Sequence, residues 1–233
     1  MSNYRYHFQL VDAPNGHFAG PAIMTSGGKA IVTVAGSPTR ATLTDSTGAA
    51  LANPISLTRG AGEFYTTETS VDLFIQCPDG QSKQLYGATP DGVADICVDR
   101  SRPTQLMVIP ITFADDSADN TESTTGFTEP TGAVFTPDGS AVKVHTLDAT
   151  ETIDVGTAEG ILGGGGDSDG FCSAVALDTA VIVQDAGALL GAGASNHLSA
   201  GLTITFKFSA GVDTAKVYAM LPYVLLQTSV PTP

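Results

Sequence analysis

The sequence predicts an all-β protein: two antiparallel β-sandwich or barrel-like domains joined by an acidic, Ser/Thr-rich linker. Three observations carry this. Apolar residues alternate with polar ones almost everywhere, turn-forming peptides return at short intervals, and no apolar stripe with a period of about 3.6 residues reaches helical length. The length of 233 residues, with 42% hydrophobic and 15% charged residues, supports a well-buried core and suits one large β domain or two smaller ones.

In chain order, Lys29 to Val34 is a β-branched run containing Ile31 and Val34. Val71, Leu73 and Ile75 alternate with Asp72, Phe74 and Gln76, and Val142 and Val144 with Lys143 and His145. Ile153 and Val155 alternate with Thr152 and Asp154, and Ile204, Phe206 and Phe208 with Thr203, Thr205 and Lys207. Each segment reads as a strand with one buried face. Asn15-Gly16, Ser46-Thr47-Gly48, Gly60-Ala61-Gly62, Pro78-Asp79-Gly80, Pro90-Asp91-Gly92 and Pro137-Asp138-Gly139 supply turns, because Pro presets φ and Gly accepts positive φ. The single helix candidate, Ala186 to Ser199, is weakened by Gly187, Gly191 and Gly193.

Charge divides the chain near residue 114. Residues 1–113 carry seven bases against nine acids, and residues 114–233 carry three against fifteen. Asp115, Asp116, Asp119, Glu122 and Glu129 fall in one Ser/Thr-rich stretch without a base, which reads as a solvated linker or long exposed loop over 114–130. The expected organisation is therefore a near-neutral β domain over 1–113, a candidate for docking on another protein, and an acidic β domain over 131–233, a candidate for facing outward or for oligomerising.

A net charge of −14 disfavours binding to phosphate backbones and to anionic membrane surfaces. No run of about 20 apolar residues is present, and Pro222 interrupts the apolar tail Val217 to Leu226. The start, Met1-Ser2-Asn3-Tyr4-Arg5, has neither an apolar core nor a small-residue cleavage site, so synthesis in a cytoplasm is the expectation. Cys77, Cys97 and Cys172 show no metal-type spacing. They read as buried thiols, with a Cys77–Cys97 disulfide as the alternative.

Chemistry-bearing patterns are few. Gly166-Asp167-Ser168-Asp169-Gly170 matches the G-x-S-x-G elbow of serine hydrolases, with Asp178 or Asp185 and then His197 downstream in the right order. The elbow needs a strand before it and a helix after it. Here Gly163 to Gly166 precedes it and Phe171 to Leu177, of strand composition, follows. Two flanking carboxylates also oppose a developing oxyanion. Asp167-x-Asp169-Gly170 has the look of half a calcium loop but no late Glu follows, so a turn capping its own backbone is the simpler reading. His7, His17, His145 and His197 are scattered, without the spacing of a zinc site. The glycine run does not end in the Lys-Ser/Thr of a phosphate loop. No residue is thereby assigned to catalysis, to a cofactor or to a metal.

Tyr4, Tyr6 and Phe8 alternate at the N-terminus. Without interleaved bases or any Trp they suggest one face of an edge strand, or an arm that adds to a partner's sheet.

Two stretches resemble structural proteins of tailed bacteriophages. The first comprises Ala41-Thr42-Leu43-Thr44-Asp45, Gly48, Ala52-Asn53-Pro54, Gly62-Glu63-Phe64-Tyr65 and Val71-Asp72-Leu73-Phe74-Ile75. It is similar to a small β-module of virion proteins. The second comprises Thr125-Gly126-Phe127, Pro130, Thr152-Ile153-Asp154-Val155-Gly156, Gly166-Asp167-Ser168-Asp169-Gly170-Phe171, Thr203-Ile204-Thr205-Phe206 and Tyr218 to Val224. It resembles head decoration and head-fibre proteins, where Ala is usual at the position of Ser168. The resemblance implies a non-enzymatic capsid decoration, or cement, protein that works on the virion head surface. Its partners would be the major capsid protein lattice and copies of itself, as a homotrimer, with no nucleic acid and no membrane involved. Placement in the tail or neck, or as a host-adhesion fibre, is the alternative.

Overall fold

Alternating Val, Ile, Phe and Tyr side chains pack well on a pleated surface, and this chain uses them in sheets throughout. The computed structural model describes residues 3–12, 28–77, 80–90, 95–98, 104–112, 121–136, 140–148, 151–158, 166–178, 182–184, 197–199, 201–209 and 214–225. Among these described residues all regular structure is β strand. The chain divides into two compact units, Met1–Arg102 and Pro103–Pro233.

The first unit contains β1 (Tyr4–Asp12), β2 (Lys29–Val34), β3 (Leu43–Thr44), β4 (Ala50–Leu51), β5 (Ile55–Ser56), β6 (Ala61–Thr66), β7 (Val71–Gln76), β8 (Ser82–Ala88) and β9 (Asp95–Val98). They form one sheet in the order β4-β3-β6-β1-β9 and another in the order β5-β2-β7-β8. All pairings are antiparallel except β1 with β9. One core joins the two sheets: Tyr6, Phe8, Leu10 and Phe64 from the first pack with Ala30, Val32, Leu73 and Ile75 from the second. Burying a side chain of this size stabilises by about 1.5–3 kcal/mol. The Tyr6 and Phe64 rings stack with centroids 5.1 Å apart. Gly62 makes room for Phe8, since a Cβ there would strike the Phe8 ring.

This overturns two expectations. The N-terminal strand is neither an edge nor an arm, because β1 lies between β6 and β9. Tyr6 and Phe8 are fully buried, and that apolar burial draws β1 inside the sheet. The segments Val71–Gln76, Ala30–Thr33 within Lys29–Val34, and Ile204–Phe206 within Thr203–Phe208 are buried on both faces rather than one. Phe74, on the second face, meets the edge of the Tyr86 ring at 5.9 Å.

The second unit contains β10 (Thr104–Thr112), β11 (Ser123–Thr128), β12 (Ala133–Phe135), β13 (Ala141–Thr146), β14 (Thr152–Thr157), β15 (Cys172–Ala176), β16 (Ile182–Gln184), β17 (His197–Leu198), β18 (Thr203–Phe208) and β19 (Lys216–Leu225). A six-stranded sheet centres on β19, which pairs with β10 on one side and with β12 and β13 in succession on the other. A four-stranded sheet has the order β11-β18-β14-β15. Phe135 of the first sheet lies 4.8 Å from Phe171, which leads into β15, and 5.3 Å from Tyr223 of its own sheet.

The division between units precedes Thr104 and does not coincide with the change of charge near residue 114. β10 pairs over its full length with Lys216–Val224 and buries Met107, Ile109 and Ile111. Inward apolar residues decide where a strand packs, whereas surface charge is free to vary around it. The described part of the expected linker is also structured. Ser123–Thr128 is a strand, the Thr205 hydroxyl donates to Glu122 at 2.9 Å, and buried Glu129 accepts the Leu202 N–H at 3.3 Å.

Of the expected turns, Gly48 and Gly60 take positive φ (86° and 76°) beside their strands. Asn15-Gly16, Pro78-Asp79, Asp91-Gly92 and Pro137-Asp138-Gly139 lie outside the described residues, as do His17, Asp115 to Asp119, Gly163 to Gly165, Asp185 and most of the helix candidate. Its described end, His197–Leu198, is strand. Cys77 and Cys172 are buried thiols, so Cys77 takes no part in a disulfide with Cys97.

Candidate functional site

Two segments of the second resembling stretch, Thr152–Gly156 and Gly166–Phe171, meet in one place. Strand β14 carries Ile153-Asp154-Val155-Gly156, and the turn Gly166–Phe171 lies alongside its second half. Phe171 N–H donates to the Val155 carbonyl at 2.8 Å, Thr157 N–H to the Asp167 carbonyl at 2.8 Å, and Gly166 N–H to the Ala158 carbonyl at 3.0 Å. The Thr157 hydroxyl accepts Asp167 N–H at 3.0 Å. This contact needs two glycines: a Cβ on Gly156 would fall on the Asp167 carbonyl oxygen, and one on Gly166 on the Thr157 hydroxyl.

The turn holds itself. The Asp167 carbonyl accepts Gly170 N–H at 3.1 Å, and its carboxylate accepts Asp169 N–H at 3.4 Å. The Asp169 carboxylate accepts the Ser173 hydroxyl at 3.0 Å. Its pKa lies below the usual carboxylate range, first because of a hydrogen bond with the Asp167 carboxyl. The Ser173 hydroxyl and the Lys207 ammonium act the same way, and partial burial opposes them. The self-capping turn read from Asp167-x-Asp169-Gly170 is thus what forms. Among the described residues no group of three or more His, Cys, Asp or Glu is placed to hold a metal ion.

Next to the turn, β15 bulges against β14 between the pairs Ile153–Val175 and Val155–Cys172. Ala174 takes φ of 50° there. Asp154 supports the bulge by accepting Ala174 N–H at 2.6 Å, while its other oxygen meets Lys207 Nζ at 3.1 Å. Neither the bulge nor the roles of Asp154, Ser173 and Lys207 were legible in the sequence.

Ser168 sits in this turn, but the strand–turn–helix of a nucleophile elbow is not built around it. The segment after it, Cys172–Ala176, is a strand, so no helix N-terminus faces the hydroxyl. Of its expected partners, Asp178 is an exposed residue just past β15. His197 belongs to β17, opposite Phe135 in the six-stranded sheet.

The first resembling stretch is braced in the same manner. Asn53 imitates a strand residue: its Oδ1 accepts Val32 N–H at 3.0 Å, and its Nδ2 donates to the carbonyls of Val32 at 2.7 Å and Ala41 at 3.0 Å. Arg40 donates to the Asn53 carbonyl at 2.6 Å. Asp72, 2% exposed, accepts the N–H groups of Gly36 at 2.8 Å and Gly87 at 2.7 Å. Both glycines have positive φ. Asp45 closes a turn by accepting from the Thr47 hydroxyl and from Thr47 and Ala49 N–H, which hold its carboxyl below the usual range.

Comparisons with family models, with characterised proteins and with solved structures find no match for this chain. Most of the named polar groups of the quoted motifs act on the chain's own backbone, with Asp169 and Asp154 also meeting the side chains of Ser173 and Lys207. That arrangement suits holding a rigid shape.

Proposed function

We propose that this chain is a structural protein of a tailed-bacteriophage virion, a decoration protein that binds the assembled head and stabilises it without catalysing a reaction. The observation that carries the reading is that the two motifs on which the resemblance chiefly rests, Thr152–Gly156 and Gly166–Phe171, lie against each other through main-chain hydrogen bonds. Their carboxylates are engaged in bracing turns. A motif kept for shape fits a part that must present a fixed surface to a repetitive lattice.

The physical logic is multivalency. An oligomer that engages several capsid subunits turns weak contacts into tight binding through effective concentration. A protein that binds the assembled shell and not its loose subunits stabilises the shell by mass action. A homotrimer would match the three-fold positions of an icosahedral lattice. The net charge of −14 supports solubility before assembly.

The test is co-sedimentation of the purified protein with empty phage heads that lack it. Saturable binding, with heads that then withstand higher temperature, is the expected result. Binding to isolated tails instead, or to neither particle, overturns the proposal.

A further inference from the structure

Between β5 and β6 the chain turns on a two-residue hairpin that carries an arginine where the backbone favours something smaller. Thr58 and Ala61 close it, each N–H donating to the other's carbonyl, at 3.0 and 2.9 Å. The two residues between them, Arg59 and Gly60, both have positive φ, 52° and 76°. Asn-Gly, Asp-Gly and Gly-Gly are the favoured pairs in such turns, because a longer L side chain is strained there. The turn is also tied down from outside. Gln9 Nε2 donates to the Arg59 carbonyl at 3.0 Å and to that of Leu10 at 3.1 Å, and Leu10 N–H donates to the Gly60 carbonyl at 3.0 Å. The main chain of Arg59 is thus fixed while the residue stays exposed. Two further arginines lie among the described residues, and both are engaged. Arg5 forks onto Glu63 at 3.1 and 3.2 Å, and Arg40 donates to the Asn53 carbonyl. Among the described residues no carboxylate pairs with Arg59.

We infer that Arg59 is a docking residue, a guanidinium held out on a rigid hairpin for a carboxylate of another protein. The fold itself has no use for it. Asn or Gly would fill the turn with less strain, and strain kept at an exposed position points to work outside the chain. The guanidinium selects the occupant, because its planar fork matches a carboxylate through two parallel N–H bonds. Arg5 and Glu63 make that same pair within this chain. Fixing the turn beforehand leaves only the side chain to be ordered on binding. The decoration role proposed above makes the partner a subunit of the assembled head, and the inference rests on that reading for the partner's identity. A lattice repeats the contact at every copy, so one ion pair per chain is multiplied.

Co-sedimentation of the full-length protein with empty heads, read alongside urea unfolding, tests the inference. Arg59→Asn removes the charge and suits a positive φ. Its urea midpoint is expected to equal or exceed that of the wild type, while its affinity for heads falls about tenfold or more. Arg59→Lys, which keeps the charge but loses the fork, is expected to fall between the two. Raised salt should weaken wild-type binding more than that of Arg59→Asn. Wild-type binding that Arg59→Asn retains in full overturns the inference and leaves the decoration role standing. So does a joint loss of stability and binding, which would make Arg59 a structural residue. Self-association without heads that Arg59→Asn abolishes would make a second copy the partner and overturns the assignment to the head. Failure of the wild type to bind heads overturns the decoration role itself, and the assignment of this partner with it.

Discussion

Gly156 and Asp167 touch through bare main chain: a Cβ on the glycine would collide with the aspartate's carbonyl oxygen. The strand and turn motifs of the second unit are therefore locked by the absence of a side chain. Gly156→Ala must push the turn off β14, breaking the Thr157–Asp167 hydrogen bond with it. Overpacking of this kind costs roughly 2–4 kcal/mol. Urea unfolding of the full chain checks it, and a loss below about 0.5 kcal/mol would show that the turn is not seated on the strand.

Asn53 and Asp72 cannot exchange chemistry. Asn53 both donates and accepts, so Asn53→Asp sets a carboxylate against the carbonyls of Val32 and Ala41. Asp72 only accepts, so Asp72→Asn turns an NH2 toward the N–H of Gly36 or Gly87. Each substitution is expected to cost about 2–4 kcal/mol, from the lost bonds and the group left facing a like partner. Denaturant midpoints measure both, and a neutral result for either would contradict its assigned contacts.

Ala174 is the one described alanine with positive φ. That conformation costs an L-residue about 1–2 kcal/mol, partly offset by the greater unfolded-state freedom of glycine. Ala174→Gly is thus expected to be neutral or stabilising by up to about 1 kcal/mol, and Ala174→Val destabilising by about 1–2 kcal/mol. Melting curves of the two variants should move apart; movement together would argue against the bulge.

The carboxylates of Asp45, Glu63 and Asp169 are held below their ordinary values of 3.8, 4.5 and 3.8, chiefly by hydrogen bonds from Thr47, from Arg5 and with Asp167 respectively. A lowered folded pKa means that the charged form favours the fold. Its contribution is present above the ordinary value and is lost as pH falls through the lowered one. Stability should therefore drop on the acid side, between about pH 5 and pH 2. In Asp169→Asn the midpoint should fall less between pH 7 and pH 3 than in the wild type. An unchanged drop would remove Asp169 from the account.

Sequence alone determined the class of this fold. Alternation within segments such as Thr203–Phe208 and Ala141–Thr146 marks them as strands, although burial of Thr205 and of Ala141 on the second face was not written in it. The Asp167–Gly170 turn was also legible, since its hydrogen bonds join near neighbours. Tertiary structure decided what depends on residues far apart. The place of Tyr4–Asp12 inside its sheet is set by β6 and β9. The membership of Thr104–Thr112 in the second unit is set by β19. The bulge at Ala174 and the pairing of Asp154 with Lys207 depend on three strands arriving together. Charge misdirected the reading of the boundary because acids decorate a surface without choosing strand partners.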